Sequence, residues 1–352
     1  MSDDALFEKN YDELLRILHD KPKYRKPALG KMPEWLNDES VDFSAVRRHL
    51  KQVQHYDGKN ENKIQYNIKN FCVEYSAALL LLAPIKDENF DRNLLAQIDN
   101  AKPLRDLFFD YVDALIACDL DVGKILGDFF EQLYNATFYV QEGKRSYNDN
   151  ELEFSRFIVW EMFIGATAYF IHFEKYNDLF ELLYRTYFLA ENPLNATTKS
   201  HTFVKFRPYF KYIDEHIKPN SDKPNNFTLA GDIAVKREKR PIITQKSLAN
   251  ADVVLYQLSC VYEFSGNIYH HYWFPILYCY HDSYSKQSIW NQMVSIRHCQ
   301  KLFPLLGVKS IEELKKIAEK GKNDKDIRYP RCYDSAPSIR NSIKIEEIGT
   351  MP

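Results

Sequence analysis

The sequence predicts an all-α protein, either an antiparallel helical bundle or an irregular stacked helical array with a smaller helical C-terminal part. Apolar residues recur at steps of three and four along most of the chain. Glycine is scarce, with 11 in 352 residues where average usage would give about 25. Prolines and polar hinges, rather than Gly-rich turns, separate the periodic segments.

The first periodic segment places Leu6, Tyr11, Leu14, Leu15 and Leu18 at roughly helical spacing. Three prolines in KPKYRKPALGKMPEW then end the helix and leave a loop or arm over 21–40. From Lys63 a continuous stripe runs through Ile64, Ile68, Phe71, Cys72, Tyr75, Ala78, Leu79 and Leu82 until Pro84. After Pro103 a second helix turns Leu104, Leu107, Phe108, Tyr111, Val112, Leu115 and Ile116 inward, with Asp106, Asp110 and Asp113 opposite. That acidic row reads as a solvated face, because one helix cannot supply the six or more oxygens a hard cation takes.

Leu120–Tyr139 continues the helical pattern, and a long apolar helix follows over about 151–175, then another over 178–189. Phe157–Phe173 is almost wholly apolar yet carries Glu161 and His172, and it falls short of the roughly 20 residues that span a bilayer. A buried central helix is expected. The composition turns polar over 218–245, which marks a linker between a helical domain (1–217) and a helical C-terminal subdomain (246–322). Within the latter, Ser310 and Glu313 form a capping box. An irregular tail (323–352) completes the chain.

Composition narrows the function classes. Forty-seven basic against 49 acidic residues give a net charge of -2, so no global field favours nucleic acid or membrane. The six cysteines include no C-x-x-C pair, and the N-terminus lacks a secretory leader pattern, which together point to reduced thiols and a cytoplasmic setting. Nucleotide-binding, serine-hydrolase, zincin and EF-hand signatures are absent. No cofactor is expected.

Three segments and one residue carry candidate chemistry. YHHYWFPILYCYHD at 269–282 brings His270, His271, His281 and Asp282 together, and imidazole and carboxylate are natural ligands for a divalent metal in a hydrolase or nuclease. Adjacent His270 and His271 project about 100° apart on a helix, and Pro275 interrupts the segment, so metal-free protein with the rings packed on the preceding helix is expected. Lys199, Lys205, Arg207 and Lys211, interleaved with rings, and Lys236, Arg237, Lys239 and Arg240 in the linker form a candidate nucleic-acid or anion patch. On a helix, Phe203, Phe206 and Phe210 would share the inner face instead. Glu161, in apolar surroundings, must be protonated or paired, with Arg156, His172 or a neighbouring helix as the expected partners, and is the remaining candidate for acid–base catalysis. If it is only structural, Glu161→Leu should be tolerated.

A neutral helical chain rich in Tyr, Phe and Arg and lacking a catalytic signature is expected to be a protein-interaction or regulatory subunit of a larger assembly. Its partners would be other proteins or a second copy. A metal-dependent hydrolase is the alternative, and a weak nucleic-acid-binding accessory protein the third reading.

Overall fold

The computed structural model describes residues 41–84, 87–138, 147–192, 197–221, 227–237, 240–262, 272–280, 288–320 and 339–352, together with Phe7, Asn10, Tyr11 and Leu14. By its internal contacts the chain divides into two units, Met1–Asp42 and Phe43–Pro352. In the first unit Phe7, Asn10, Tyr11 and Leu14 are helical, and Phe7 stacks on Tyr11 with ring centroids 6.1 Å apart.

The second unit is a stacked helical array. Its described helices are α1 (Ser44–Gln54), α2 (Glu61–Leu81), α3 (Phe90–Asn100), α4 (Lys102–Ala117), α5 (Val122–Phe138), α6 (Glu153–His172), α7 (Tyr176–Leu183), α8 (Leu229–Lys236), α9 (Gln245–Val261), α10 (Ile296–Leu306) and α11 (Ile311–Lys320). Single helical turns occur at Ser288–Asn291 and Ile339–Ser342. The ends are fixed by side chains. Asn60 accepts from the Lys63 N–H and starts α2. Asp178 accepts from Gly123 N at 2.9 Å, closing the start of α5, and Thr244 with Ser247 makes a capping box on α9. Ser310 Oγ accepts from Glu313 N as the sequence predicts, while the Glu313 carboxylate reaches back to Lys309 N rather than to Ser310.

α6 is the axis of the array. Every residue from Phe157 to Phe170 is buried, so the helical span Asp149–His172, which by length and composition could cross a membrane, is enclosed along α6 by α4, α5 and α9. Gly165 permits the close approach of α4: a Cβ there would lie 2.3 Å from Phe109 Cζ. The Phe109 ring is itself stacked on Tyr169 at 5.7 Å and has no free volume to enter. Gly165→Ala is therefore expected to destabilise by about 1–3 kcal/mol through overpacking. A wild-type melting temperature for that variant would show that α4 and α6 can separate without cost.

Three segments differ from the sequence reading. The helix expected over 178–189 stops at Leu183, and Tyr187–Ala190 becomes a strand, β1, paired antiparallel with β2 (Thr198–His201). The β-prone Tyr187-Phe188-Leu189 run decides this, with Tyr187 and Leu189 buried and Phe188 exposed between them. Phe203, Phe206 and Phe210 are all buried, but on a 3₁₀ turn (Phe203–Phe206) and the chain after it, not on one α-helix. The expected linker over 218–245 contains α8, and the second unit is continuous across it. Asp214 ties α8 down by accepting from Leu229 N at 2.6 Å and from Thr228 Oγ1 at 2.9 Å. The described end of the expected tail is ordered as well, since Met351 forms a parallel bridge with Ser295 and Ile348 is fully buried.

Candidate functional site

Glu161 lies at the centre of a buried ion cluster. Its Oε1 accepts from Arg105 Nη1 at 2.9 Å and from Arg237 Nε at 3.0 Å, and all three side chains are at most 3% exposed. Arg105 also forks onto Asp106 Oδ1 at 2.7 and 3.2 Å. Arg237 also donates to the Ile98 carbonyl and has Asp99 at 3.8 Å. Neither Glu161 Oε2 nor Arg237 Nη2 has a hydrogen-bond partner among the described residues. Burial weighs against the charge on Arg105, but Glu161 and Asp106 outweigh it and hold the guanidinium above its ordinary value.

The acidic row of α4 continues the cluster outward. Arg240 Nη2 donates to Asp110 at 2.6 Å and Asp113 at 3.2 Å, and its Nη1 to the Asp106 carbonyl at 3.1 Å. Burial raises Asp113 against the pull of Arg240. Both Arg105 and Arg240 lie 5.9 Å from the centroid of the Phe109 ring. The acidic row stays half-exposed, as a solvated face would be, but it is also ion-paired, and Arg237 and Arg240 of the expected basic patch are taken up by these carboxylates rather than by an external anion. Periodicity could not show this, since the partners are 127 to 134 residues apart. Sealed between helices, Glu161 has the surroundings of a clamp rather than of an acid or base in contact with substrate.

The remaining basic residues do not assemble into one surface. Arg207 donates to the Phe274 carbonyl at 3.1 Å and lies 4.6 Å over the Phe274 ring, so it holds a loop. Lys199 pairs with Glu191 at 2.5 Å, Lys205 is half-buried, and Lys211 and Lys236 are exposed. Lys239, like His270, His271, His281 and Asp282, lies outside the described residues. Among the described residues no group of three or more His, Cys, Asp or Glu could hold a metal ion.

Of the aromatic segment, 272–280 is described, and it packs on the preceding helix α9. Trp273 Nε1 donates to Asp252 Oδ1 and Leu277 N to Asp252 Oδ2, both at 2.6 Å. The Trp273 ring is fully buried and stacks on Phe163 at 5.7 Å. Burial pushes the Asp252 carboxyl up to about 7, against the two N–H donors and Arg207.

No family model, curated protein or solved structure matches the chain. Its surface must therefore be read on its own terms.

Two features of that surface stand out. α1 carries a shallow open depression of about 340 Å³ lined by Ser44, Arg47, Arg48, Lys51 and Gln52. More pronounced is the outer side of α2. Its inner side is filled by Ile64, Phe71, Cys72, Tyr75, Ala78 and Leu79, with Phe71 stacked 3.9 Å from Tyr111 of α4. On the outer side, Tyr66, Val73 and Leu80 recur seven residues apart and are 64%, 52% and 44% exposed. Exposed Ala77 falls in the same row, which stays within about 60° around the helix and runs for about 21 Å. Leu81, 74% exposed, flanks it. The sequence reading found the inner stripe and missed this one, although the seven-residue spacing of Tyr66, Val73 and Leu80 was the signal.

Proposed function

We propose that the chain is a helical protein-interaction subunit of a larger cytoplasmic assembly, and that α2 docks it to a helix of a partner protein. The observation that carries this reading is the apolar row Tyr66, Val73, Ala77 and Leu80 on the outer face of a helix whose inner face is already filled. Heptad spacing of apolar residues is the seam by which one helix packs on another. The row is interrupted by Lys69 and Asn70 between Tyr66 and Val73 and is densest over Val73, Ala77, Leu80 and Leu81, the kind of exposed apolar surface that monomeric proteins keep small.

A photo-crosslinking residue placed at Val73 tests the proposal. The expected result in cells is a single saturable adduct with one protein, lost when Tyr66→Glu and Leu80→Glu are introduced together. The same crosslinker at exposed Lys211 should not give that adduct. An adduct only with a second copy of the chain would replace the partner by a homo-oligomer. Absence of any adduct specific to α2 would remove the reading.

A further inference from the structure

The small sheet has one covered edge and one open edge, and the register shows which groups each presents. Glu191 N donates to the Thr197 carbonyl just beyond the strands. Alternation then makes Leu189 with Lys199, and Tyr187 with His201, the hydrogen-bonded pairs. Phe188 and Ala190 must turn their peptide groups away from β2, and they do so onto α5. Asn135 spans the two, donating to the Phe188 carbonyl at 2.9 Å and accepting from Ala190 N at 2.8 Å, while Glu131 accepts from Phe188 N at 2.9 Å.

By the same alternation Thr198 and Ser200 point their N–H and C=O groups away from β1. Among the described residues those groups have no hydrogen-bond partner, and both residues are exposed. We propose that this edge of β2 binds an extended acidic segment of another protein by strand addition, in which main-chain bonds give affinity and alternate side chains give specificity. This does not rest on the reading of α2.

Charge selects the occupant. Lys199 and His201 share one face of the sheet, Lys205 follows on the next turn with no ion pair among the described residues, and Arg156 pairs with Asp149 at 3.4 Å and lies 5.8 Å from the Phe138 ring centroid. Glu191 is already engaged by both Lys199 and His201. Alternate residues of an added strand on this face meet a rim whose cations are Lys199, Lys205 and Arg156, His201 being pushed toward its neutral form by burial, and acidic side chains satisfy that rim. On the other face, exposed Phe188 lies across from the small Ser200, leaving room for an apolar side chain. A second copy fits poorly. In the antiparallel register that uses Thr198 and Ser200 of both strands, Lys199 would stand directly opposite its own copy, and like charges so placed repel.

The test uses the full chain and two labelled, end-capped octapeptides, one alternating Glu and Val, the other Lys and Val, with binding read by fluorescence anisotropy. The acidic peptide should bind saturably and the basic one should not. Ser200→Pro removes only an outward N–H and leaves the β1 ladder intact, as proline at a sheet edge can, and should weaken binding at least about tenfold. Lys199→Glu should act in the same direction. If Ser200→Pro melts abnormally, amide exchange in the unmodified chain decides, with Ser200 N–H slowed on addition of the acidic peptide. Equal binding of both peptides, no binding, unaltered affinity in a folded Ser200→Pro chain, or an unprotected Ser200 amide would each overturn the proposal. Tyr66→Glu with Leu80→Glu should leave peptide binding unchanged, which separates this test from that of α2.

Discussion

Glu161→Leu is expected to destabilise the fold by about 3–5 kcal/mol, the cost of leaving buried charge without its counter-ion. The sequence alone supported the opposite expectation, because an isolated buried carboxylate exchanged for an apolar residue is often harmless. The arginines reverse the sign. Arg105 keeps Asp106 when the carboxylate is removed, but Arg237 is left with the Ile98 carbonyl and with Asp99 at 3.8 Å, at 3% exposure. Urea unfolding at neutral pH should show the loss as a lower midpoint with an unchanged slope. Exchanging all three residues, as Arg105→Met, Glu161→Leu and Arg237→Met, should recover most of it, since a complete apolar replacement leaves no orphaned charge. An unshifted midpoint in Glu161→Leu would mean that the cluster does not hold α4, α6 and α8 together.

The second large effect is a dependence on pH with an unusual sign. Asp252 titrates at about 7 in the folded chain, against an ordinary carboxyl value of 3.8. The folded state therefore binds this proton more tightly than the unfolded state. The resulting stability is fully present below the unfolded value and is lost as pH rises through about 7. Between pH 5 and pH 8 this one group should lower stability by about 2–3 kcal/mol. Burial pushes Glu153 up to about 6 and raises Asp214, Asp178 and Asp113, all in the same direction. His201 and His298, lowered by burial, act oppositely and withdraw stability as pH falls through the ordinary histidine value. Urea midpoints from pH 5 to pH 8 should thus fall with rising pH. Asp252→Asn should flatten that slope while costing stability of its own, because the amide has one acceptor oxygen for the two donors Trp273 Nε1 and Leu277 N and turns its own NH2 toward one of them. An unchanged slope in Asp252→Asn would place the Asp252 titration elsewhere.

The all-α architecture was legible wherever helices bury one stripe, as in α2, α4 and α6, whose inner residues follow from spacing alone. What spacing could not show was pairing over distance. Asp106, Asp110 and Asp113 look solvated from one helix, and Arg237 and Arg240 look solvated from a polar stretch, until tertiary packing joins them. The strand at Tyr187–Ala190 was hidden for a related reason: four residues are too few for periodicity to distinguish, and the partners that fix it, Asn135 and Glu131, lie on α5. Of the candidate site, Glu161 was identified as anomalous and its pairing anticipated, but the identity of its partners was not. The apolar row on α2 was present in the sequence as a seven-residue repeat, masked by the stronger stripe on the same helix.

The ion cluster also bears on the order in which the chain is made. Arg237 follows Glu161 by 76 residues, so at about 5–20 residues per second it leaves the ribosome roughly 4–15 s later. Through that interval α6 has its full apolar surface but a carboxylate with only Arg105 to meet it, and the α4 aspartates, 127 to 134 residues ahead of Arg240, wait longer still, roughly 6–27 s. A nascent chain is therefore expected to remain open and exposed to chaperones and proteases until the segment around 237–240 has emerged. Any truncation before Arg237 should be found degraded or aggregated, however complete its helices are.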